Sequence, residues 1–400
     1  MIPGVGTLGG TDPEAVEPGD VETLLDLVGD ARVVALGEGA HNITEFHGFR
    51  DLLLRVLVRE LGFTALVMES GFPEGLAVDA WVNGGPGLVE EVARDGITYR
   101  FGECEAVRRQ LRWMRDLNAE RPGRVRFHGM DLPGSSTSPG PAVRACLDRI
   151  PGLPGDAELL RLSDLGGRTA AAVRYAAMSD AEQARLAEGL RALAGRAASA
   201  DDEIARRCAA SILAFVEELD PPGAGPYPRE TFMAETVEWI LGREGRVVVS
   251  AHNAHVRRSP FLGRPTLGGL LGATLGSGLF VVGTTYGTGP EVRFTQRSPR
   301  PFDCEVSLRE RTAPPPNSVE SRLERLGPPV TVVDLRRVPD GFLDGVEGTL
   351  ASGGLDPVDD FPSAYDALVH VREVTRVPGA FERLRAEFEQ REHPEDPESP

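Results

Sequence analysis

Five short apolar runs, each followed by a stretch of helical spacing, leave this chain few folds to choose from. The runs Arg32–Leu36, Ala65–Glu69, Val125–Met130, Arg246–Ala251 and Leu279–Thr284 show little polar alternation, which predicts strands buried on both faces. Between them, Glu45–Leu61, Pro73–Val82, Cys104–Ala119, Glu230–Leu241 and Leu267–Leu275 carry apolar residues at helical spacing. Strands covered on both faces and joined by helices make a parallel sheet between helical layers. Weaker apolar segments at Glu305–Leu308, Val330–Leu335 and Ala367–Val371 add strands, and Val21–Val28 reads as a short helix. The rhythm breaks after Asp131. A Pro/Ser/Gly loop leads into residues 142–219, which are helical in pattern, and Asp220–Pro228 (DPPGAGPYP) ends them. The expected fold is therefore α/β: a mostly parallel central sheet flanked by helices, with an inserted helical lobe over the cleft at the strand carboxyl ends. Residues 1–136 form the first part of the α/β core, after a Gly/Pro-rich irregular lead-in over 1–19. Residues 137–226 form the lobe, 227–385 the second part of the core, and 386–400, acidic and proline-rich, a disordered tail.

Composition removes several classes of function. A hydrophobic content of 41% over 400 residues is enough for a full core. The net charge of −18 repels phosphate backbones, so no nucleic-acid partner is expected. All 43 basic residues are arginine, which excludes a Schiff-base lysine, a P-loop lysine and a Ser–Lys pair. Cys104, Cys146, Cys208 and Cys304 show no CxxC spacing and read as free thiols in a reducing compartment. The first twenty residues lack the basic and apolar regions of a signal peptide, and no apolar run reaches membrane-spanning length. A cytoplasmic location with no membrane partner is the expectation. Gly4-Val5-Gly6-Thr7-Leu8-Gly9 matches GxGxxG, but no strand precedes it, so it is not read as a dinucleotide loop.

The candidate chemistry sits where the strands end. The first run turns on Gly37 and presents Glu38 and His41, then Glu45, His47 and Arg50 on the adjoining helix. The second ends in Glu69, the third in His128 and Asp131, and the fourth in His252, Asn253 and His255. Any one of these alone reads as a cap, a turn group or, for His128, a core histidine; Arg50 alone reads as a surface ion-pairing residue. Parallel strands bring all four tips to one edge, where α/β sites form. An imidazole beside a carboxylate is a general base, and a second histidine or Arg50 supplies donors for an oxyanion. That set suits ester hydrolysis by activated water. No GxSxG elbow is present, which argues against the familiar serine hydrolase. Glu38, His41, Glu69, His252 and His255 could also ligate a divalent cation, but HExxH is absent and no cysteine lies near them in sequence. No metal and no cofactor are expected.

Taken together, GEGAHNITEF, RELGFTALVMES, RVRFHGMD, RETFMAETVEWI and VVVSAHNAHV, in that order over residues 31–290, resemble the erythromycin esterase family. The resemblance implies an α/β core with a helical lobe over an open cleft, and metal-independent hydrolysis of a carboxylic ester or macrolactone by histidine-activated water. It implies catalytic roles for Glu38, His41, Arg50, Glu69, His252 and His255, with His41 as base, held by Glu38 or Glu69. Arg50 and His252 or His255 would then polarise the carbonyl or protonate the leaving oxygen. Glu45, Asp131, Asn253, Arg229 and Asn42 are the substrate-side candidates. The chain departs from the family pattern at Asn42, where glycine is usual, and at Arg229-Glu230, where Arg-Asp is usual. The implied partner is a small-molecule or natural-product substrate, in antibiotic resistance or secondary-metabolite biosynthesis. Two alternatives remain: a tailoring enzyme of the same fold acting on a peptide or amide or transferring a group, and a non-catalytic binder of haem, a metal or another ligand. Oligomeric state has no sequence signal.

Overall fold

The computed structural model describes residues 2–166, 168–298, 304–351 and 354–389. In chain order its strands are β1 (Val5–Leu8), β2 (Val33–Glu38), β3 (Ala65–Gly71), β4 (Arg126–Asp131), β5 (Val247–His252), β6 (Leu279–Gln296), β7 (Cys304–Arg311), β8 (Val330–Asp334), β9 (Gly348–Ala351), β10 (Gly354–Pro357) and β11 (Ala367–Glu373). The central sheet runs β1-β8-β11-β6-β2-β5-β3-β4, with β7 hairpinned onto the long β6 and β9–β10 pairing apart from it. From β11 to β4 every neighbouring pair is parallel; β1, β8 and β7 are antiparallel additions. The sheet is thus mixed and mostly parallel, flanked by helices.

Alternate residues of the buried strands feed two cores. Val34 and Leu36 of β2 join a cluster with Phe49, Leu53 and Leu57 of helix Thr44–Glu60. Val33 and Ala35 join the opposite cluster with Met233, Val237 and Ile240 of helix Pro228–Glu244. The chain leaving β2 therefore covers one face. The chain leaving β5, through helices Asn253–Val256 and Leu267–Leu275, covers the other with Val256, Leu267 and Leu271. Neighbouring strands whose exits go to opposite faces leave a crevice between their carboxyl ends. The register puts Glu38 of β2 beside His252 of β5 at that crevice, and Asp131 of β4 beside Gly71 of β3. Gly37 is required there: a Cβ would stand 2.2 Å from Asn253 Oδ1, so only glycine lets helix Asn253–Val256 lie against β2.

Between β4 and β5 lie helices Gly140–Leu147, Asp156–Ser163, Arg168–Ala177, Asp180–Ala198 and Glu203–Glu218. They build a third apolar cluster, which includes Leu186, Leu190, Ile212 and Phe215 and meets the core at Phe72, Leu132 and Phe232.

Three expectations need correction. The irregular lead-in contains β1, antiparallel to β8; β1 takes up the inner four residues of the GxGxxG match, and its pairing residues lie more than 300 positions away, beyond any local signal. The run expected to end at Thr284 continues to Gln296, because β7 supplies a partner for its second half. The tail expected to be disordered from 386 begins inside helix Ala380–Glu389. Phe381, Leu384 and Phe388 sit at helical spacing there, and Leu384 and Phe388 face a cavity. Residues 390–400 lie outside the described residues. No described helix is long and apolar enough to cross a membrane.

Candidate active site

The crevice holds two linked polar groups. In the first, Glu38 Oε1 contacts His41 Nδ1. The His41 side chain is 44% exposed against 12% for Glu38, so the carboxylate is sheltered and the ring presented. A carboxylate on Nδ1 holds the Nδ1–H tautomer and leaves the basic lone pair on Nε2. The His41 ring centroid is 5.0 Å from that of His252 and 5.4 Å from Phe101. His252 caps helix Asn253–Val256 by accepting the Ala254 N–H on Nδ1 at 3.2 Å, so its Nε2 carries the proton. Burial, helped by His41 and His255, pushes its pKa down to about 4. His252 is therefore a neutral donor near neutral pH.

In the second group a guanidinium occupies the centre. Arg229 binds Asp131 through two bonds, Nε to Oδ1 at 2.8 Å and Nη2 to Oδ2 at 2.6 Å. Nη2 also reaches Glu69 Oε1 at 2.8 Å and the Tyr99 hydroxyl at 3.0 Å. Tyr99 donates to Asp131 Oδ2 at 2.8 Å, and burial pushes its hydroxyl pKa up, keeping it a donor. His255 closes the network, with Nδ1 2.5 Å from Glu230 Oε1 and Nε2 3.3 Å from Glu69 Oε1. Burial pulls its pKa down, but Glu69 and then Glu230 outweigh both burial and Arg229, which lies 3.3 Å from Nε2, and raise it to about 10. Burial opposes ionisation of Glu69, yet His255, Arg229 and His41 hold it well below the carboxylate range. The second oxygen of Glu69 accepts the His252 backbone N–H at 2.8 Å, which joins the two groups.

The remaining candidates are placed as follows. Arg50 is buried on helix Thr44–Glu60; its Nε donates to Gln110 Oε1 at 3.1 Å, and Glu38 lies close enough to support its charge. Asn253 uses both ends of its amide on the Thr284 backbone, fastening its helix to β6. Glu45 binds the Thr375 N–H and hydroxyl, both at 2.8 Å, away from the His41 ring. Asn42 has φ +58°, a left-handed turn that asparagine accepts in place of glycine, and it lines the cavity. The sequence reading did not single out Tyr99, Phe101 or Gln110, and took Glu230 only as a variant of a motif. For Glu230 the adjacent Arg229 near a helix start was a usable signal; for Tyr99, in a loop with φ +58°, there was none.

His41 lines a cavity. Tyr99, Phe101, Tyr286, Phe294, Leu384 and Phe388 give it an apolar wall, and Arg311, Arg376 and Glu291 supply charge. Among the described residues no group of three or more His, Cys, Asp or Glu side chains is arranged to hold a metal ion. The clustered carboxylates of Glu69 and Asp131 face Arg229 instead.

These pKa directions set the pH response of stability. His255, raised above its unfolded value of 6.5, stabilises the fold fully below pH 6.5, and that contribution is lost as pH rises through about 10. His252, depressed to about 4, acts in the opposite sense, with stability lost as pH falls from 6.5 through 4. Urea midpoints should therefore peak near pH 6.5 and fall on both sides. Glu230→Gln should flatten the alkaline limb, and an unchanged limb would assign that loss to other groups.

The erythromycin esterase family model matches residues 58–374, beginning downstream of Glu38 and His41. The chain is similar to erythromycin esterase type II of Escherichia coli, 25% identical over 392 residues that span 88% of this chain and 92% of the relative. It is also similar to type I of the same organism, 30% identical over 123 residues, 31% of this chain and 29% of that one. Among solved structures it resembles a mutant of the erythromycin esterase EreC in an open conformation, with TM-score 0.73 and 19% identity over 92% of this chain and 97% of that one. A succinoglycan biosynthesis protein gives TM-score 0.73 and 20% identity over 93% and 95%. At those identities the structural likeness is one of fold, whereas the family model spans most of the chain. The chain belongs to the erythromycin esterase family, a family of ester-bond hydrolases.

Proposed function

We propose that the chain hydrolyses a carboxylic ester or lactone of a small natural product with water activated at His41, without a metal. The observation that carries this reading is the Glu38-backed, exposed imidazole of His41, next to a neutral histidine and open to an apolar-walled cavity. His41 Nε2 takes a proton from water as the water oxygen bonds to the ester carbonyl carbon. The carbonyl π pair moves onto oxygen, and the Nε2–H of His252, whose ring centroid lies 5.0 Å from that of His41, is assigned as its donor. When the pair returns, the C–O bond to the alcohol breaks and the His41 imidazolium gives its proton to the departing oxygen. The products are an acid and an alcohol, and His41 is neutral again.

The other polar groups support these two histidines. His255, protonated and gripped by Glu69 and Glu230, is a fixed cation that keeps Glu69 ionised. Glu69 in turn holds the backbone of His252. Arg50 sits close to Glu38, whose charge opposes the loss of the guanidinium proton that burial favours. Arg229 already neutralises the carboxylates a metal would need, which supports the metal-free reading. The cavity wall suits a large, mostly apolar ring with a few polar groups, in keeping with macrolactones.

Hydrolysis of aryl esters and macrolactones in heavy-oxygen water tests this. One labelled oxygen is expected in the acid and none in the alcohol, and activity should survive dialysis against a chelator. Label in the alcohol would exclude acyl-carbon attack, and activity restored only by added metal would exclude the metal-free mechanism.

A further inference from the structure

Beneath the Glu38–His41 pair, helix Thr44–Glu60 packs on helix Glu105–Glu120 and encloses Arg50 with two polar side chains that have no role so far, His47 and Gln110. His47 is 1% exposed, Arg50 3% and Gln110 0%. Arg50 Nε is only a donor, so the bond at 3.1 Å fixes the Gln110 amide with its oxygen toward Arg50 and its nitrogen away. Among the described residues, that nitrogen, Arg50 Nη2 and both ring nitrogens of His47 have no hydrogen-bond partner. A buried polar group left unmade costs about 1–3 kcal/mol, and interiors meet such groups with ordered water. Here the groups lie together: His47 and Arg50 are one helical turn apart and interact electrostatically, and Gln110 is bonded to Arg50.

The ligand chemistry follows from the donors. The guanidinium and amide nitrogens only donate. His47, its pKa pushed well down by burial, Arg50 and His41, stays neutral and offers one donor and one acceptor. The occupant must therefore accept several hydrogen bonds and give one back. An anion would need an unbalanced positive charge, but Arg50 is already opposed by Glu38 and Asp51. Water meets both conditions. The place is also near the reaction: the ring of Phe101 touches both imidazoles, with centroids 5.4 Å from His41 and 6.1 Å from His47.

We propose that His47, Arg50 and Gln110 form a buried water site behind the Glu38–His41 pair, and that through it Gln110 and His47 are positioning residues for Arg50. Ordered water on Nη2, with Gln110 on Nε, fixes the guanidinium plane against Glu38. Only the effect on turnover rests on the hydrolase reading above; the water site does not.

A crystal structure at about 1.5 Å or better, with kinetics of Gln110→Met and His47→Phe, tests this. Ordered water is expected within hydrogen-bond distance of Arg50 Nη2 and of one His47 nitrogen. Both variants should lower kcat about 10- to 100-fold with KM changed less than about threefold, because misplaced chemistry leaves substrate binding intact. A pocket empty of density would overturn the proposal, and so would bromide bound there in soaked crystals. Unchanged kcat in both variants would remove the positioning role. If one variant fails to fold, the other and the wild-type crystal still decide. Water in place in a protein that turns over no ester would count against the hydrolase reading alone.

Discussion

His41→Asn is expected to lower kcat/KM for ester hydrolysis by about 10²–10⁴-fold, a loss of roughly 3–5 kcal/mol of transition-state stabilisation. Among the described residues lining the cavity, the change removes the one imidazole, and that imidazole is backed by a sheltered carboxylate. Folding should survive it, since the His41 side chain is 44% exposed and belongs to no apolar cluster. Thermal unfolding close to that of the wild type, measured beside the kinetics, separates lost chemistry from lost structure. Activity within about threefold of wild type would remove His41 as the base.

Arg229→Met is expected to have the largest effect on stability, about 3–5 kcal/mol by denaturant unfolding. The guanidinium binds Asp131 twice and reaches Glu69 and Tyr99. Methionine fills much of the volume but leaves two buried carboxylates with no shared cation. Arg229→Lys should recover only part of the loss, because an ammonium cannot span the same fork of acceptors. A change below about 1 kcal/mol for Arg229→Met would show that water replaces the guanidinium and that the network is not what holds these strand ends together.

The parallel part of the sheet was legible because its strands are buried on both faces and therefore apolar without alternation, as in Val33–Leu36 and Val247–Val249. The polar tips were legible for the same reason: Glu38, Glu69, Asp131 and His252 stand at the carboxyl ends of runs that are otherwise mostly apolar. What the sequence hid depends on distant partners. The second half of β6 is a strand because β7 pairs with it, and β1 because β8 does. Tyr99 and Gln110 sit in segments whose local pattern is ordinary, and only the fold brings them to Arg229 and Arg50. The division of labour between the paired histidines was equally hidden. His252 and His255 are three residues apart, yet one is buried against another imidazole and the other lies between two carboxylates.

The helix Ala380–Glu389 lends Leu384 and Phe388 to the cavity beside His41, so the base and part of its apolar enclosure belong to distant stretches of chain. The helix can loosen without disturbing the Glu38–His41 contact. Loosening it should cost turnover of a bulky ring more than turnover of small soluble esters, which need no enclosure.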